Sequence, residues 1–184
     1  MLKQLGKAPV YIYSNFLSDE DADAAIALIQ EQEVAKGREA IEISKIAGYR
    51  VCRTTPEVRE YLHVLSQNVI PVHNLDVELT TRTASLGVWN KGSRCIGHAD
   101  NVVPWSKMLT HSSVIYLNDE YEGGYIAFPD YNEQYRPRRG DLIIFEADIF
   151  HEVTEITDGK RYTAALWHTT DTQYDMFRIN NGKG

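Results

Sequence analysis

In residues 81–89, TRTASLGVW, mostly small or polar side chains alternate with mostly apolar ones, and this alternation decides the predicted fold. Side chains two positions apart lie on the same face of a β-strand, so Ala84 and Leu86 would share one face while Trp89 would lie on the other. The period of two begins near Val77, whereas the apolar residues before it recur at helical spacing. The chain is therefore predicted to change from helices to strands at about this point.

Four further β-rich runs follow this first strand. They are SSVIYLN at 112–118, YIAFP at 125–129, DLIIFEA at 141–147 and RYTAALWH at 161–168. Turn clusters separate the runs at 90–92, 118–124 and 137–140. Many short strands joined by such turns are typical of an antiparallel sandwich or barrel. We therefore predict an α+β fold with a mainly β core.

Two N-terminal helices are predicted to cover one face of this core. The first begins with Ser18 as its N-cap, because acidic residues follow it and the helix dipole favours negative charge there. Gly37 would end that helix. The second begins with Thr55 as its cap, followed by proline at the first helical position, and Pro71 would end it.

Size and charge favour a single globular domain. The chain has 184 residues, within the usual range for one domain. We expect one domain over 1–184, with helices at about 1–75, a barrel at about 76–170 and a tail at 171–184. With 26 acidic and 19 basic residues, the formal net charge is −7, which argues against nucleic acid as the main partner. No apolar run is long enough to predict a membrane-spanning helix.

The cysteines and the N-terminal sequence favour a reducing compartment. Cys52 and Cys95 are the two cysteines, too few for a disulfide framework. Residues 1–16, MLKQLGKAPVYIYSNF, lack the continuous apolar core of a secretory signal. Reduced thiols are usual in the cytosol, so we predict a cytoplasmic protein.

His98 and Asp100 are the first candidates for a metal site. On one strand, residues i and i+2 point to the same face with Cα atoms about 6–7 Å apart, so an imidazole and a carboxylate could converge on one metal. A structural hydrogen bond between them is the competing interpretation. His151 follows the strand at 141–147. It would complete the two-histidine, one-carboxylate set of non-haem Fe(II) sites, and a surface position is its alternative.

Arg161 is the next candidate, ten residues after His151. It would share the inner face of its strand with Thr163 and Trp167, where a charge is costly without a partner. A ligand carboxylate would be a natural partner, because a guanidinium binds it through two parallel hydrogen bonds. An exposed strand end or an internal salt bridge is the alternative interpretation.

The order and spacing of these residues resemble the signature of the 2-oxoglutarate- and Fe(II)-dependent dioxygenases. Three segments are similar to the prolyl 4-hydroxylase branch of that superfamily: SSVIYLNDEYEGGYIAF at 112–128, RRGDLIIF at 138–145 and HEVTEITDGKRYTAALW at 151–167. The similarity extends over about 76–168. It implies a double-stranded β-helix, which is a jelly-roll barrel.

The resemblance also implies roles for individual residues. The implied Fe(II) ligands are His98, Asp100 and His151. Arg161 would bind the distal carboxylate of 2-oxoglutarate, with hydroxyl groups from Tyr116 and Ser112 at the same co-substrate. Dioxygen would be the second co-substrate and ascorbate an optional reductant, and the products would include succinate and carbon dioxide.

The implied substrate is a prolyl residue in a peptide or protein, and a free amino acid or another small molecule is the alternative. A non-catalytic, cupin-like metal-binding module and a zinc hydrolase on the same ligands are competing classes. Arg161 favours the dioxygenase, because a simple metal binder has no need of a buried cation. We expect specificity to lie in loops near 48–55, 101–106 and 119–124. Two residues depart from the family pattern: Trp89 stands where many relatives carry a tyrosine that can touch the co-substrate, and Cys95 stands where an aromatic residue is frequent.

Overall fold

Eleven antiparallel strands form one sheet in residues 2–35 and 46–178, the part of the chain that the computed structural model describes. The strands are β1 (Leu2–Gln4), β2 (Val10–Tyr13), β3 (Ile46–Val51), β4 (Thr80–His98), β5 (His111–Tyr116), β6 (Tyr121–Gly123), β7 (Ile126–Phe128), β8 (Glu133–Tyr135), β9 (Leu142–Glu146), β10 (His151–Val153) and β11 (Ile156–Thr169). Their order is β1-β2-β9-β5-β11-β4-β10-β7-β8, while β3 pairs with β4 and β6 pairs with β11. The predicted β core is therefore confirmed.

Both predicted helices are present. The first, α1, spans Asp19–Ala35, and the second, α2, spans Pro56–Val69. Their predicted caps are confirmed, because the side chains of Ser18 and Thr55 each accept a hydrogen bond from the backbone N–H three residues later. The stop predicted at Gly37 lies outside the described residues. No helix in the described part of the chain is long and apolar enough to cross a membrane.

The chain leaves α2 through a tighter turn. The α-helix ends at Val69, two residues before the predicted stop, and continues as a 3₁₀ turn over Ile70–His73 that contains Pro71. Proline is tolerated at the start of such a turn, because the N–H that it lacks would be unpaired there. Further 3₁₀ turns span Pro104–Ser106, Pro129–Tyr131 and Thr172–Tyr174.

The N-terminal region also contains three strands that the helical prediction missed. β1 and β2 form a hairpin that joins the sheet beside β9, and β3 pairs with β4. In β2 the buried apolar residues are Val10 and Ile12, and two alternating residues do not make a recognisable period. β3 contains Gly48, a residue type that is depleted in strands.

The helices pack on one face of the sheet and form the main hydrophobic core with it. Ile29 of α1 and Leu62 of α2 belong to the same buried cluster as Leu86 of β4 and Leu166 of β11. Trp89 of β4 belongs to a separate buried cluster on the inner face. The two faces predicted from residues 81–89 are therefore confirmed.

β4 bends where a turn was predicted at 90–92, and the prediction that the strand ends there is wrong. Gly92 has φ +85°, a conformation that glycine adopts without a steric penalty. Before the bend β4 pairs with β11, as far as Asn90 opposite Lys160, and after it β4 pairs with β10. One long strand therefore passes between two neighbours, and its last residue, His98, lies opposite His151.

Candidate active site

Three side chains converge where β4 ends and β10 begins. His98 and His151 face each other with ring centroids 4.5 Å apart. Asp100 Oδ1 lies 3.4 Å from His98 Nε2 and 4.0 Å from His151 Nε2. One potential ligand atom from each side chain lies within 4.8 Å of the other two. The structure therefore brings the three predicted metal ligands together.

Backbone carbonyls orient both imidazole rings. His98 Nδ1 is 3.0 Å from the carbonyl oxygen of Ile96, and His151 Nδ1 is 2.9 Å from that of Ile149. A carbonyl oxygen only accepts hydrogen bonds, so Nδ1 carries the proton in each ring. In a neutral ring Nε2 then keeps its lone pair, and this is how proteins commonly orient a histidine ligand.

A turn positions Asp100, and the expectation that it shares a strand face with His98 is wrong because β4 ends at His98. The backbone N–H of Asp100 donates to the carbonyl oxygen of Ala147 over 2.8 Å. Ser112 Oγ donates to Asp100 Oδ2 over 2.5 Å. The backbone bond and the hydroxyl together hold the carboxylate toward the two imidazole rings.

The electrostatics of the cluster favour an ionised carboxylate. Burial acts to raise the pKa of Asp100, but hydrogen bonds from His98 and Ser112 and the charge of His151 lower that pKa overall. The hydrogen bond with Asp100 is the main cause that raises the pKa of His98 to about 10. Burial lowers the pKa of His151. A negative charge is therefore maintained at the point where the two Nε2 atoms meet.

This donor set fits a divalent transition metal. Two imidazoles and one carboxylate are the protein ligands of non-haem Fe(II) oxygenases, and they leave other coordination positions open. The side chain of His98 is 26% exposed, whereas those of Asp100 and His151 are 10% and 9% exposed. The site therefore opens to solvent on the His98 side. Within residues 2–35 and 46–178, no other group of three acidic, histidine or cysteine side chains has this spacing.

Arg161 is a fully buried cation in the middle of β11, with 1% of its surface exposed. Its Nη1 donates to the carbonyl oxygen of Gly124 over 2.9 Å, and its Nε has no hydrogen-bond partner among the described residues. No carboxylate in the described part of the chain forms an ion pair with it. Because an unpaired buried charge is costly, the surroundings of Arg161 suit an anion supplied by a ligand.

Aromatic rings surround this guanidinium. Arg161 Cζ lies 4.2 Å from the centroid of the Trp89 ring and 5.7 Å from that of the Tyr116 ring. Trp89 Nε1 donates to Thr163 Oγ1 over 3.2 Å, so the one donor of the indole is satisfied and its π-face is free to contact the cation. Burial lowers the pKa of Arg161, although arginine remains charged in proteins.

The structure separates the two hydroxyl residues that were predicted at the co-substrate. Tyr116 is buried beside Arg161. Ser112, four residues earlier on β5, contacts the carboxylate of Asp100 instead. Cys95 is buried, and its Sγ lies 3.6 Å from His98 Nδ1. This small side chain therefore packs directly against a candidate metal ligand.

Tyr121 is a residue of the Arg161 pocket that the sequence did not identify. It is buried in β6, lies opposite Gly159 of β11, and belongs to the same cluster as Trp89. In the sequence it falls in the polar segment 118–124, which was predicted as a loop. A three-residue strand carries no periodic signal that could have placed this side chain inside the barrel.

Two of the three predicted specificity loops contain β-strand residues. β3 extends to Val51 and so occupies the start of the 48–55 segment, and β6 occupies three of the six residues of the 119–124 segment. The segment 101–106 ends in a 3₁₀ turn, in which Trp105 is 74% exposed. This last segment directly follows Asp100 in the chain.

Sequence comparison finds that the barrel is similar to known oxygenases. Residues 84–169 match the model of the 2OG-Fe(II) oxygenase superfamily. Human prolyl 3-hydroxylase 3 is 34% identical over 91 residues, which cover 39% of this chain. The matched region spans 12% of the length of that human protein.

Two solved structures share the fold. A prolyl hydroxylase from Trichoplax adhaerens, in complex with a hypoxia inducible factor peptide fragment, superposes with a TM-score of 0.71 at 16% identity and covers 91% of this chain and 86% of its own. The viral collagen prolyl hydroxylase of Paramecium bursaria Chlorella virus-1, in a 2-oxoglutarate complex, superposes with a TM-score of 0.66 at 17% identity, covering 88% and 96%. These likenesses confirm the predicted double-stranded β-helix.

Proposed function

We propose that the protein hydroxylates a prolyl residue in a peptide or protein, because residues 84–169 match the model of the 2OG-Fe(II) oxygenase superfamily and the relatives that it resembles are prolyl hydroxylases. The predicted resemblance to prolyl hydroxylases and the predicted Fe(II) and 2-oxoglutarate cofactors of the family are confirmed. The reaction on a prolyl substrate is the further step that we propose here.

The observation that carries this proposal is the unpaired Arg161 near a metal-binding triad. A metal-binding module requires the triad of His98, Asp100 and His151 alone. A buried guanidinium without an ion-pair partner requires an anionic ligand as well. The distal carboxylate of 2-oxoglutarate supplies such an anion, and its keto-acid end can chelate the metal.

The residues of the chain would bind and orient the reactants. His98, Asp100 and His151 would hold Fe(II), which together with 2-oxoglutarate and dioxygen supplies the power to convert a C–H bond to a C–OH group. Arg161 would hold the far end of 2-oxoglutarate, so that the keto acid has one orientation. Trp89 would shield that carboxylate from water, because its ring packs against the guanidinium.

A peptide substrate is supported by the relatives and by the surface beside the triad. Human prolyl 3-hydroxylase 3 and the peptide-bound Trichoplax prolyl hydroxylase are named for prolyl substrates. Val102 and Trp105 follow Asp100 closely and are 57% and 74% exposed. Exposed apolar side chains beside a catalytic centre suit contact with a peptide.

The decisive experiment is a turnover assay with Fe(II), 2-oxoglutarate and air. Proline-containing peptides are compared with the same peptides carrying alanine in place of proline, and succinate and a mass increase of one oxygen are measured together. We expect both products only with the prolyl peptides. Coupled turnover on free amino acids alone would replace the substrate class, and metal binding without any turnover would favour a non-catalytic module.

A cytoplasmic location stays a prediction. It rests on the small number of cysteines, since neither Cys52 nor Cys95 forms a disulfide.

A further inference from the structure

We propose that Tyr121 is a further binding residue for 2-oxoglutarate, and that its hydroxyl donates a hydrogen bond to the distal carboxylate beside Arg161. This inference rests on the proposed function, because it assigns a new residue to the same co-substrate pocket. Three observations support it: the buried hydroxyl of Tyr121 lacks a well-placed partner, Tyr121 and Arg161 both contact Gly124, and the Nε edge of the Arg161 guanidinium is available to a ligand.

The hydroxyl of Tyr121 is buried without a well-placed partner. Tyr121 is 3% exposed, and its Oη makes no hydrogen bond of good geometry among the described residues, although the guanidinium of Arg136 lies close enough to interact with it and partly offset the effect of burial on its pKa. Buried polar atoms in native proteins are nearly always hydrogen-bonded, and an exception calls for a specific explanation. A ligand that accepts a hydrogen bond at this position provides that explanation.

Tyr121 and Arg161 meet at Gly124. Arg161 Nη1 donates to the carbonyl oxygen of Gly124 over 2.9 Å. Tyr121 Cε2 lies 3.1 Å from the point that a Cβ atom on Gly124 would occupy, and Cε2 is bonded to the ring carbon that carries the hydroxyl. The hydroxyl side of the ring is therefore next to the backbone that anchors the guanidinium.

Packing on its other sides fixes the orientation of the Tyr121 ring. Arg136 Cζ lies 4.3 Å from the ring centroid, and Arg136 Nη2 donates to the backbone carbonyl of Tyr121. On the β11 side, a Cβ atom on Gly159 would lie 3.2 Å from Tyr121 Cβ. Because the ring is held on both sides, its hydroxyl is pre-positioned and loses little freedom when a ligand binds.

The unused donors in this pocket match the acceptors of a carboxylate. Arg161 uses Nη1 on Gly124, which leaves the Nε edge of the guanidinium for two parallel hydrogen bonds to a carboxylate. A carboxylate has about four acceptor sites, so a hydroxyl can bind at the same time. Burial raises the pKa of Tyr121, and the positive charges of Arg161 and Arg136 only partly oppose this. The hydroxyl therefore keeps its proton and can donate it.

The test is the substitution Tyr121→Phe, which removes the hydroxyl and keeps the ring. Calorimetry measures 2-oxoglutarate binding to Mn(II)-loaded protein, so that no turnover is required. We expect roughly tenfold weaker binding, the usual effect of losing a hydrogen bond to a charged group. The keto acid 2-oxobutanoate lacks the distal carboxylate, and we expect it to bind the wild type and the variant equally.

Tyr162→Phe is the matched control. Tyr162 lies next to Arg161 on β11 but belongs to the hydrophobic core that includes the helices, so its substitution should leave 2-oxoglutarate affinity unchanged. Thermal unfolding of the metal-free protein gives a second measurement. Tyr121→Phe should not lower the melting temperature, because the hydroxyl makes no hydrogen bond of good geometry within the described protein.

Equal affinity of wild type and Tyr121→Phe for 2-oxoglutarate would overturn the inference. An equal loss of affinity for both keto acids, or a lowered melting temperature that accompanies the loss, would also overturn it by indicating a structural role. Metal-loaded wild type that fails to bind 2-oxoglutarate at all would overturn the proposed function itself. The two failures are thus distinguished by the wild-type titration.

Discussion

Ser112 Oγ lies 2.5 Å from Asp100 Oδ2, while Oδ1 of the same carboxylate faces the Nε2 atoms of His98 and His151. The two oxygens of one candidate metal ligand therefore have different partners. A carboxylate only accepts hydrogen bonds, so the hydroxyl donates. Ser112 is held within β5, between β9 and β11, and it acts as an anchor that keeps Oδ1 directed at the metal position.

We predict that Ser112→Ala weakens metal binding about tenfold or more, because groups that orient a metal ligand typically contribute that much to affinity. Calorimetric titration of Mn(II) into the metal-free protein measures the effect. Ser113→Ala is the matched control, since the Ser113 hydroxyl bonds to His73 and His168 instead. It should lower the free energy of unfolding but preserve metal affinity. Identical metal affinities for both variants would contradict the anchoring role.

Substitution of the candidate ligands should have a larger effect than loss of the anchor. Asp100→Ala and His151→Ala each remove one of three protein ligands, so we expect metal binding weaker than in Ser112→Ala and no measurable turnover. Asp100→Asn keeps the shape and removes the charge, and should also lose affinity. Metal titration and succinate formation are measured in parallel. A His151→Ala variant with full turnover would refute the assignment of His151 as a ligand.

Arg161 separates an oxygenase from a metal-binding module. Arg161→Ala should weaken 2-oxoglutarate binding at least about tenfold, because charge-assisted hydrogen bonds contribute roughly 1.5–3 kcal/mol and 1.4 kcal/mol is a factor of ten. Arg161→Lys should be intermediate, since it keeps the charge but loses the planar fork. Mn(II) affinity should change little in both variants. Equal 2-oxoglutarate affinity in all three proteins would remove Arg161 from the co-substrate site.

The parts of the site that depend on residue order could be predicted from the sequence. The spacing of His98, Asp100, His151 and Arg161 indicated which side chains would meet, and a resemblance supplied the chemistry. The alternation at residues 81–89 indicated that Leu86 and Trp89 would lie on opposite faces of the sheet, because a strand has only two faces. Each of these properties can be read from residue type and order, without knowledge of tertiary contacts.

The parts that depend on tertiary contacts could not be predicted. A bend at Gly92, rather than a turn, brings His98 opposite His151. The hydroxyl of Ser112 reaches Asp100 only because β5 is placed beside the end of the barrel that holds the triad. Tyr121 lies in a polar segment and enters the pocket because β6 pairs with β11. Pairing between strands that are far apart in the sequence determines all three of these placements.

A buried chain of hydrogen bonds links His73, Ser113 and His168. His73 Nε2 and His168 Nε2 each lie 2.9 Å from Ser113 Oγ. Burial lowers the pKa of His73 to about 4, with a smaller contribution from neighbouring His111, and it lowers the pKa of His168 well below the usual value. In the unfolded chain a histidine has an ordinary pKa near 6.5. The unfolded state therefore binds more protons than the folded state between about pH 6.5 and 4.

Acid should consequently destabilise the protein through this network. The stabilisation from a neutral buried histidine is fully present above pH 6.5 and is lost as the pH falls toward 4, at about 1.4 kcal/mol per pH unit for each group. Replacing His73 by Gln, which keeps hydrogen-bonding capacity, should reduce the loss of unfolding free energy between pH 7 and 5 by roughly 2 kcal/mol. Urea unfolding of the metal-free proteins at both pH values measures this. The raised pKa of His98 has the opposite effect. Its stabilising contribution is fully present below pH 6.5 and is lost as the pH rises toward 10. This contribution is the same in wild type and His73→Gln, so it cancels in the difference. If wild type and His73→Gln lose the same unfolding free energy between pH 7 and 5, then the pKa of His73 does not differ between the folded and unfolded states.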